Sequence, residues 1–254
     1  MNIDLNCDLG ESYGIYTLGM DQKVLPLVSS ANVACGGHAG DSAVMARTVA
    51  LAKQYGTAVG AHPGFWDKEG FGRRYIAMEE DDIYQLCLYQ IGALHAFCEA
   101  EDVQMQHVKP HGALYNAALR DPAAAKGVAR AVKYFNEDLL LFAPVHTELQ
   151  AAGEKAGLKV AKEMFADRTY TADGTLTPRT EENAFLGKPE EAAAQVLDVL
   201  QKGSVKAVDG TAVAMEADTI CVHGDNEQAV LFIQHLRDQL EYYGASVQAA
   251  GGFI

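Results

Sequence analysis

The sequence has little positive charge and no long apolar run. Its 254 residues include 34 acidic and 20 basic side chains, which gives a net charge of −14. Proteins that bind nucleic acid or an anionic membrane need a basic face, so this balance argues against both kinds of partner. It says little about a small acidic substrate. The longest apolar runs, such as residues 139–145, are much shorter than the roughly 20 residues of a membrane-spanning helix.

Cysteine is scarce and follows no metal-binding pattern. The five cysteines are Cys7, Cys35, Cys87, Cys98 and Cys221. They form no CxxC pair and fall in apolar segments, which predicts reduced, buried thiols in a cytoplasmic protein. Residues 1–4 contain no basic stretch and no apolar signal core, which also predicts a cytoplasmic location. Cys35 lies beside a polar loop and is the one thiol considered for a reactive role.

Two common nucleotide-binding motifs are absent. The sequence has no GxxxxGK[ST] phosphate loop and no GxGxxG dinucleotide fingerprint. A reaction that uses ATP would therefore need an unfamiliar nucleotide site or a site on another polypeptide. Gly36, Gly37 and His38 precede a predicted helix, so they can hold a phosphate at its N-terminus or form only a tight turn.

The sequence does contain a regular alternation of apolar segments and amphipathic helices. Strands are predicted near residues 2–7, 29–35, 57–61, 105–110, 138–143, 159–165 and 218–222. Helices are predicted near residues 41–55, 79–100, 121–134, 147–156, 189–202 and 226–243, and residues 204–217 can add a hairpin. This alternation indicates an α/β fold with a parallel sheet covered by helices. Because no linker or composition shift interrupts it, we expect one domain over residues 1–254.

Groups of ionisable residues and glycines follow nearly every predicted strand. The clearest groups occupy residues 6–11, 35–41, 61–65, 108–112, 165–168 and 222–225. In a parallel barrel, all strand C-termini open on one face, where active sites are built. An open doubly wound sheet has the same strand–helix pattern but would spread the groups along an edge. The groups therefore favour a closed, TIM-barrel-like (β/α) barrel with a site at its mouth.

Asp8 is the strongest single candidate for a functional residue. It directly follows an apolar strand, and no evident helix needs it as a cap. Lys109 and His111 lie together at another strand end, where a lysine is costly unless it binds an anion or has a carboxylate partner. Asp167 and Arg168 can supply that partner or can form an ion pair of their own.

Other polar residues have simpler structural explanations. Asp41 and Asp225 are also explained if each is simply a helix N-cap. His62 before a proline is also explained as a buried turn histidine. His95 and His235 lie inside predicted helices, where a structural role is the simpler interpretation.

Metal-assisted hydrolysis is one reaction type that fits such a mouth. Asp8 and two of the histidines His38, His62 and His111 can hold a divalent ion, which would acidify a bound water. The ligands would come from different strands, so no local spacing identifies them.

Two further reaction types need no metal. Water can attack a carbonyl with Asp8 or Asp225 as the base, while Lys109 or His111 polarises the oxygen. Nucleophilic catalysis by Cys35 is the third type, and it would need a histidine partner.

Six segments, taken in order, resemble the motifs of the lactam-utilisation family. They are residues 4–11 (DLNCDLGE), 30–41 (SANVACGGHAGD), 60–63 (GAHP), 107–116 (HVKPHGALYN), 165–168 (FADR) and 222–225 (VHGD). This family supplies the A subunit of bacterial ATP-dependent 5-oxoprolinase, and the resemblance covers almost the whole chain. Only Cys7 departs from the first motif, at a position where a small residue is common.

The resemblance implies a distorted seven-stranded (β/α) barrel related to the glycoside hydrolase/deacetylase group. It also implies a role in opening the lactam of 5-oxo-L-proline to L-glutamate with cleavage of ATP and with Mg²⁺. The B and C subunits of 5-oxoprolinase are the implied partners, and nucleotide binding mainly by them would fit the missing phosphate loop. The fold relationship further implies a divalent metal in the barrel mouth.

Residue roles follow as hypotheses placed on these motifs. The expected catalytic residues are Asp8, Lys109, His111, Asp167 and Asp225. The expected substrate-binding residues are Asn6, Gly36, His38, His62, Arg73, Arg168 and His223. The expected metal ligands are Asp8, His38 and His62. In this hypothesis Lys109 or a lid arginine (Arg73, Arg74 or Arg168) holds the substrate carboxylate, and Asp8 directs water onto a carbonyl activated by ATP-derived phosphate.

Two other functions stay open on the sequence alone. One is a stand-alone metal-dependent deacetylase that acts on an acetylated sugar or amide without ATP or partners. The other is a non-catalytic protein that binds the lactam and delivers it to another catalyst. The number of ionisable residues disfavours the second, because a neutral lactam ring needs few charged contacts.

Overall fold

A computed structural model describes residues 1–223 and 226–254. The strands are β1 (Asn2–Leu9), β2 (Ser30–Ala34), β3 (Ala58–His62), β4 (Met105–Val108), β5 (Leu140–Ala143), β6 (Val160–Phe165), β7 (Ser204–Lys206), β8 (Ala212–Ala214), β9 (Thr219–Val222) and β10 (Ser246–Val247). The helices are α1 (Asp21–Val24), α2 (Ser42–Tyr55), α3 (Glu80–Ala100), α4 (Gly112–Ala118), α5 (Pro122–Phe135), α6 (Glu148–Lys155), α7 (Pro189–Lys202) and α8 (Glu227–Tyr242). Residues Leu25–Leu27 and Ala250–Gly252 form 3₁₀ turns.

Seven parallel strands close into a barrel. The strands β1 to β6 and then β9 pair in that order, and β9 pairs back with β1, so the sheet closes on itself. The closing register sets Asp4 opposite Thr219 and Asn6 opposite Cys221. The closed parallel barrel expected from the sequence is confirmed, and each of its strands overlaps a predicted one.

The structure contains short elements besides the long predicted ones, and α1 is one that was not predicted. The hairpin expected within residues 204–217 is present, because β7 and β8 pair antiparallel. The helix α4 was not predicted, since it begins at Gly112 and glycine is a poor helix former. The two-residue strand β10 pairs with the start of β1 and was also missed.

The interior of the barrel is polar, and this follows from the alternation of residues along β1. Ile3 and Leu5 face outward and belong to the hydrophobic core between strands and helices. Asp4, Asn6 and Asp8 face inward, where they contact side chains of other strands. Since side chains alternate along a strand, a one-residue shift in register would exchange the two sets.

One glycine makes room for a ring that fills the barrel. A Cβ atom on Gly60 would lie 2.1 Å from Nε2 of His107. This nitrogen donates to the amide oxygen of Asn32 at 2.7 Å, and the ring stacks on Phe142 with centroids 4.0 Å apart. Burial lowers the pKa of His107 to about 3, so the ring is a neutral packing element below the mouth.

Side-chain caps begin the helices that follow the barrel strands β2 and β9. The Asp41 carboxylate accepts from the Val44 N–H at 2.9 Å, as the sequence predicts for α2. The cap of α8 is Asn226, which accepts from the Ala229 N–H, whereas the predicted cap Asp225 lies outside the described residues. No helix within residues 1–223 and 226–254 is long and apolar enough to cross a membrane.

Candidate active site

A pocket of about 530 Å³ opens at the C-terminal ends of the barrel strands. Seven of the residues predicted for the site line it, namely Asp8, His62, Arg73, Lys109, His111, Arg168 and His223. Glu11 and Arg179 also line it, and neither was predicted. The predicted catalytic residue Asp225 lies outside the described part of the chain. The convergence of the strand ends at one mouth therefore brings most of the predicted residues together.

Lys109 is a buried cation held between two carboxylates. Its Nζ lies 3.1 Å from Oδ1 of Asp8 and 3.0 Å from Oε1 of Glu163. Burial alone would lower the pKa of Lys109, but the nearby Asp8 carboxylate and the Cys221 and Glu163 side chains raise it well above its usual range. The structure supports neither alternative for Asp167 and Arg168, because the lysine pairs with carboxylates inside the barrel and the described partner of Asp167 is His223.

Glu163 forms an ion pair with Lys109 deeper in the barrel, and it was not among the predicted site residues. Its second carboxylate oxygen accepts a hydrogen bond from the Tyr115 hydroxyl, and its first also accepts from Asn6 Nδ2 at 3.1 Å. Burial and the Glu163 charge raise the pKa of Tyr115 well above its usual range, so the phenol stays protonated. A carboxylate inside the apolar strand β6 was the available signal, since burying it demands a partner.

Asp8 lies at the rim of this network and faces the pocket. Its Oδ1 accepts from Asn32 Nδ2 at 2.8 Å, and its Oδ2 lies 3.2 Å from Nε2 of His62. Burial alone would raise the pKa of Asp8, but His62 and Lys109 hold it well below its usual range. The carboxylate is therefore ionised.

Two histidines present bare nitrogens to each other. Nδ1 of His62 lies 2.7 Å from the Lys109 carbonyl oxygen, and Nε2 of His111 lies 2.9 Å from the Phe71 carbonyl oxygen. A carbonyl only accepts, so these nitrogens carry the ring protons. In neutral rings the remaining nitrogens, Nε2 of His62 and Nδ1 of His111, would both be acceptors, although they are 2.9 Å apart. A proton or a metal ion between them would satisfy both.

The donor atoms around these histidines fit a divalent transition metal. One ligand atom from each of Glu11, His38, His62 and His111 lies within 4.8 Å of every other. Burial and the neighbouring histidines lower the pKa of His38 well below its usual range, and burial lowers that of His111 to about 3, so both rings are neutral, as metal ligands must be. Backbone carbonyls orient two of the rings, which is usual for ligating histidines.

This donor set differs from the predicted one. It keeps His38 and His62, adds Glu11 and His111, and leaves Asp8 beside the cluster rather than within it. Three imidazoles suit zinc, manganese or iron better than magnesium, which prefers oxygen ligands. The position of Glu11 in the first polar group of the sequence was the available signal for it.

An Asp–His pair lies on another side of the pocket. Oδ2 of Asp167 is 2.7 Å from Nδ1 of His223, and a guanidinium nitrogen of Arg179 lies 3.4 Å from Nε2 of the same ring. Burial lowers the pKa of His223, but the bond to Asp167 outweighs it and raises the pKa above the usual value. The other Asp167 oxygen is buried and has no hydrogen-bond partner among the described residues.

Arg168 stabilises the long loop over residues 169–187. Its guanidinium donates to the carbonyl oxygens of Ala184 at 3.1 Å and Thr177 at 2.5 Å. These bonds tie the middle of the loop and its C-terminal part to the barrel rim. They also explain why the arginine is buried, with 4% of its surface exposed, even though it lines the pocket.

Four predicted site residues support the pocket without lining it. Asn6 lies deeper in the barrel, and Asp167 lies behind His223. His38 stacks on His111 with ring centroids 3.6 Å apart. Gly36 forms the turn after β2, where its N–H donates to the Ala39 carbonyl oxygen.

The thiols supply no nucleophile, although Cys221 Sγ lies 3.0 Å from Lys109 Nζ. All five cysteines are buried and free, as predicted. Burial raises the pKa of Cys35 to about 12, so the thiol stays protonated and is a poor nucleophile. The lid candidate Arg74 pairs with Asp67 in the loop over residues 64–78.

Comparisons with known proteins give one consistent result. A model of the LamB/YcsF family matches residues 3–253. A protein named as the A subunit of 5-oxoprolinase, from Symbiobacterium thermophilum, is 53% identical over 98% of this chain and 95% of its own length. Its namesake from Bacillus subtilis is 51% identical over 97% of this chain and 96% of its own length.

A solved structure gives the same result for the fold. The lactam utilization protein from Thermus thermophilus superposes with a TM-score of 0.94 and 46% identity, over 98% of this chain and all of that one. This chain belongs to the LamB/YcsF family.

Proposed function

We propose that this chain is the A subunit of an ATP-dependent 5-oxoprolinase, which opens 5-oxo-L-proline to L-glutamate. One observation carries the proposal. An ionised carboxylate, a buried lysine and an Asp–His pair share one pocket, in a chain that matches proteins named as 5-oxoprolinase A subunits over nearly its full length. These are the groups that hydrolysis of a cyclic amide needs.

The lactam lies in the mouth with its carboxylate on Arg73. This arginine lines the pocket, packs over the Phe71 ring at 5.2 Å and forms no ion pair with a described residue. Lys109 is a weaker candidate for that task than the sequence suggested, because Asp8 and Glu163 already neutralise it. Its role is to keep Asp8 charged and in place.

Ring opening needs one proton removed and one delivered. Asp8 takes a proton from water as the water oxygen bonds to the lactam carbonyl carbon. The carbon–nitrogen bond then breaks, and the departing nitrogen receives a proton from His223, which Asp167 orients. This assignment keeps Asp167 among the proposed catalytic residues and adds His223, which was expected to bind the substrate.

A divalent ion held by Glu11, His38, His62 and His111 would acidify a bound water and polarise a carbonyl oxygen. Without any such ion, the two bare nitrogens of His62 and His111 still require a shared proton. In either case the histidines set the position of Asp8, because His62 contacts both His111 and that carboxylate.

We further propose that ATP with Mg²⁺ is used together with the B and C subunits of 5-oxoprolinase in the cytoplasm, and that the chain acts as one barrel domain. The missing phosphate loop supports partners that bind most of the nucleotide. The relatives are named as one lettered member of a multi-subunit enzyme, which supports the existence of such partners.

The decisive experiment measures glutamate formed from 5-oxoproline with ATP and magnesium. The chain is assayed alone and then with candidate B and C subunits, with Asp8→Asn as the inactive control. Glutamate formed only in the full mixture, and lost with Asp8→Asn, is the expected result. No glutamate from any correctly folded mixture would contradict the proposal.

A second function is worth testing because the donor cluster favours it. The Glu11 and histidine site suits a metal-dependent amide hydrolase that works without ATP or partners. That function predicts turnover of small amides by the isolated chain after loading with zinc or manganese, and loss of turnover on chelation. Activity that needs ATP and is insensitive to chelators of transition metals would rule it out.

A further inference from the structure

A second cavity adjoins the mouth. It has a volume of about 400 Å³ and lies between α4, the loop over residues 144–147 and the loop over residues 169–187. It shares five lining residues with the mouth, namely Asn116, Phe165, Arg168, Leu176 and Arg179. The two spaces therefore form one continuous cleft, with the barrel opening at one end.

The cleft concentrates arginine in an acidic chain. The sequence contains eight arginines and has a net charge of −14. Four of the eight line the cleft: Arg73 in the mouth, Arg168 and Arg179 in both parts, and Arg120 in the second cavity. Such clustering against the overall charge focuses a positive potential where an anionic ligand would enter.

Four carboxylates also line the cleft, and two of them, Asp8 and Glu163, are paired with Lys109. Glu11 contacts the neutral His38 ring in the mouth, and Asp173 in the second cavity accepts from the Thr175 N–H at 3.1 Å. Three arginines of the second cavity therefore face Asp173 as the one carboxylate of its described lining that is not paired with a lysine. Arg120 forms no ion pair with a described residue, so its guanidinium is available to a ligand.

The loop holds Arg179 beside the second cavity. The guanidinium carbon of Arg179 lies 5.3 Å from the centre of the Phe185 ring, and that of Arg168 lies 4.9 Å from the same ring. Arg179 also reaches His223 at 3.4 Å. Arg179 therefore contacts His223, the proposed proton donor in the mouth, and also lines the second cavity.

We propose that the second cavity is a subsite for a phosphoryl group, bound by Arg120 and Arg179 next to the lactam. The inference rests on the proposed function and deepens it. A lactam with a single carboxylate is too small for the whole cleft and uses only one arginine. A planar guanidinium binds phosphate through paired hydrogen bonds, so two arginines at one cavity suit a dianion. The phosphoryl group arrives on the substrate or on a nucleotide.

Binding of inorganic phosphate to the isolated chain tests the subsite directly. Isothermal titration at constant ionic strength compares the wild type with Arg120→Ala and with Arg47→Ala, a matched control on α2 that lines neither space. We expect Arg120→Ala to weaken phosphate binding about tenfold or more, since a charged hydrogen bond is lost. We expect Arg47→Ala to leave it unchanged, and neither variant to alter binding of 5-oxoproline.

The same titration with ATP identifies the source of the phosphoryl group. Binding of ATP that is tighter than phosphate and weakened by Arg120→Ala supports a nucleotide-borne group. Phosphate binding without ATP binding supports a phosphorylated substrate made elsewhere. No phosphate binding, equal effects of the two arginine variants, or joint loss of phosphate and 5-oxoproline would overturn the subsite. Glutamate assays with partner subunits judge the proposed function separately, since they do not depend on these titrations.

Discussion

The floor of this barrel, which is the inward-facing layer around Asp4 below the mouth, is buried and polar like the mouth itself. The two differ in how many of their polar atoms form hydrogen bonds. On the floor, Asp4 accepts hydrogen bonds from Ser29, Ser30 and Thr219. At the mouth, Nδ1 of His38 and one oxygen of Asp167 are buried without a hydrogen-bond partner among the described residues. A satisfied network stabilises a fold, whereas unmet donors and acceptors indicate a place prepared for a ligand.

Carboxylates have different partners on the floor and at the mouth. Carboxylates on the floor hold neighbouring strands together through neutral donors, and the mouth carboxylates face cations or imidazoles. Substitutions on the floor should therefore change stability more than activity. Substitutions at the mouth should do the reverse, with Lys109 affecting both because it joins the two levels.

The largest effect on activity is expected from Asp8→Asn. The variant keeps the shape of the side chain but removes the base, so glutamate formation in the full enzyme mixture should fall about 10²- to 10⁴-fold. The floor variant Asp4→Asn is the matched control and should retain most of the activity. Full activity of a folded Asp8→Asn protein would show that Asp8 is not the base.

Lys109→Met should be the most destabilising single change. It leaves Asp8 and Glu163 buried without their shared cation, and breaking a buried pair in this way costs about 3–5 kcal/mol. Urea unfolding measures the free energy of unfolding for this variant. The double variant Lys109→Met/Glu163→Gln should recover part of the loss, and an unchanged unfolding free energy in the single variant would show that the lysine is not structural.

The floor should make stability depend on pH through Asp4. Burial raises the pKa of Asp4 from 3.8 to about 6, despite the bonds from Thr219 and the two serines. Between these values the folded state holds a proton that the unfolded state has lost. The resulting stability is present below pH 3.8 and disappears as the pH rises through about 6, a change of about 3 kcal/mol.

Urea unfolding from pH 4 to pH 8 isolates this contribution. The unfolding free energy of the wild type, taken relative to that of Asp4→Asn, should fall over the acid half of the range and then become constant. Identical pH profiles for the two proteins would mean that Asp4 is ionised throughout.

The smallest expected effect belongs to Arg73→Ala. Loss of an exposed arginine that binds only the substrate carboxylate should raise KM about tenfold and change kcat little. Steady-state kinetics with 5-oxoproline separate the two constants. A fall in kcat at unchanged KM would instead place this arginine in the chemical step.

Much of the architecture could be predicted because local patterns determine it. Continuous apolar strands alternating with helices indicated seven parallel strands, and the polar group at each strand end indicated the mouth. The helix α4 was missed because its first residue, Gly112, is a weak helix former, and Arg179 was missed because it lies in a long loop without periodicity. Asp167 was assigned the wrong possible partner, since nothing local in the sequence links it to His223.

The sequence by itself determined the barrel, the polar groups at its mouth and the identity of the family, because strand periodicity and motif order are properties of neighbouring residues. Only the tertiary structure decided which charges meet. Lys109 and Glu163 are 54 positions apart in the chain, yet their side chains lie 3.0 Å apart. The bare nitrogens of His62 and His111 likewise depend on which backbone carbonyls their rings reach. Closure of the barrel sets these distances, and no local pattern encodes them.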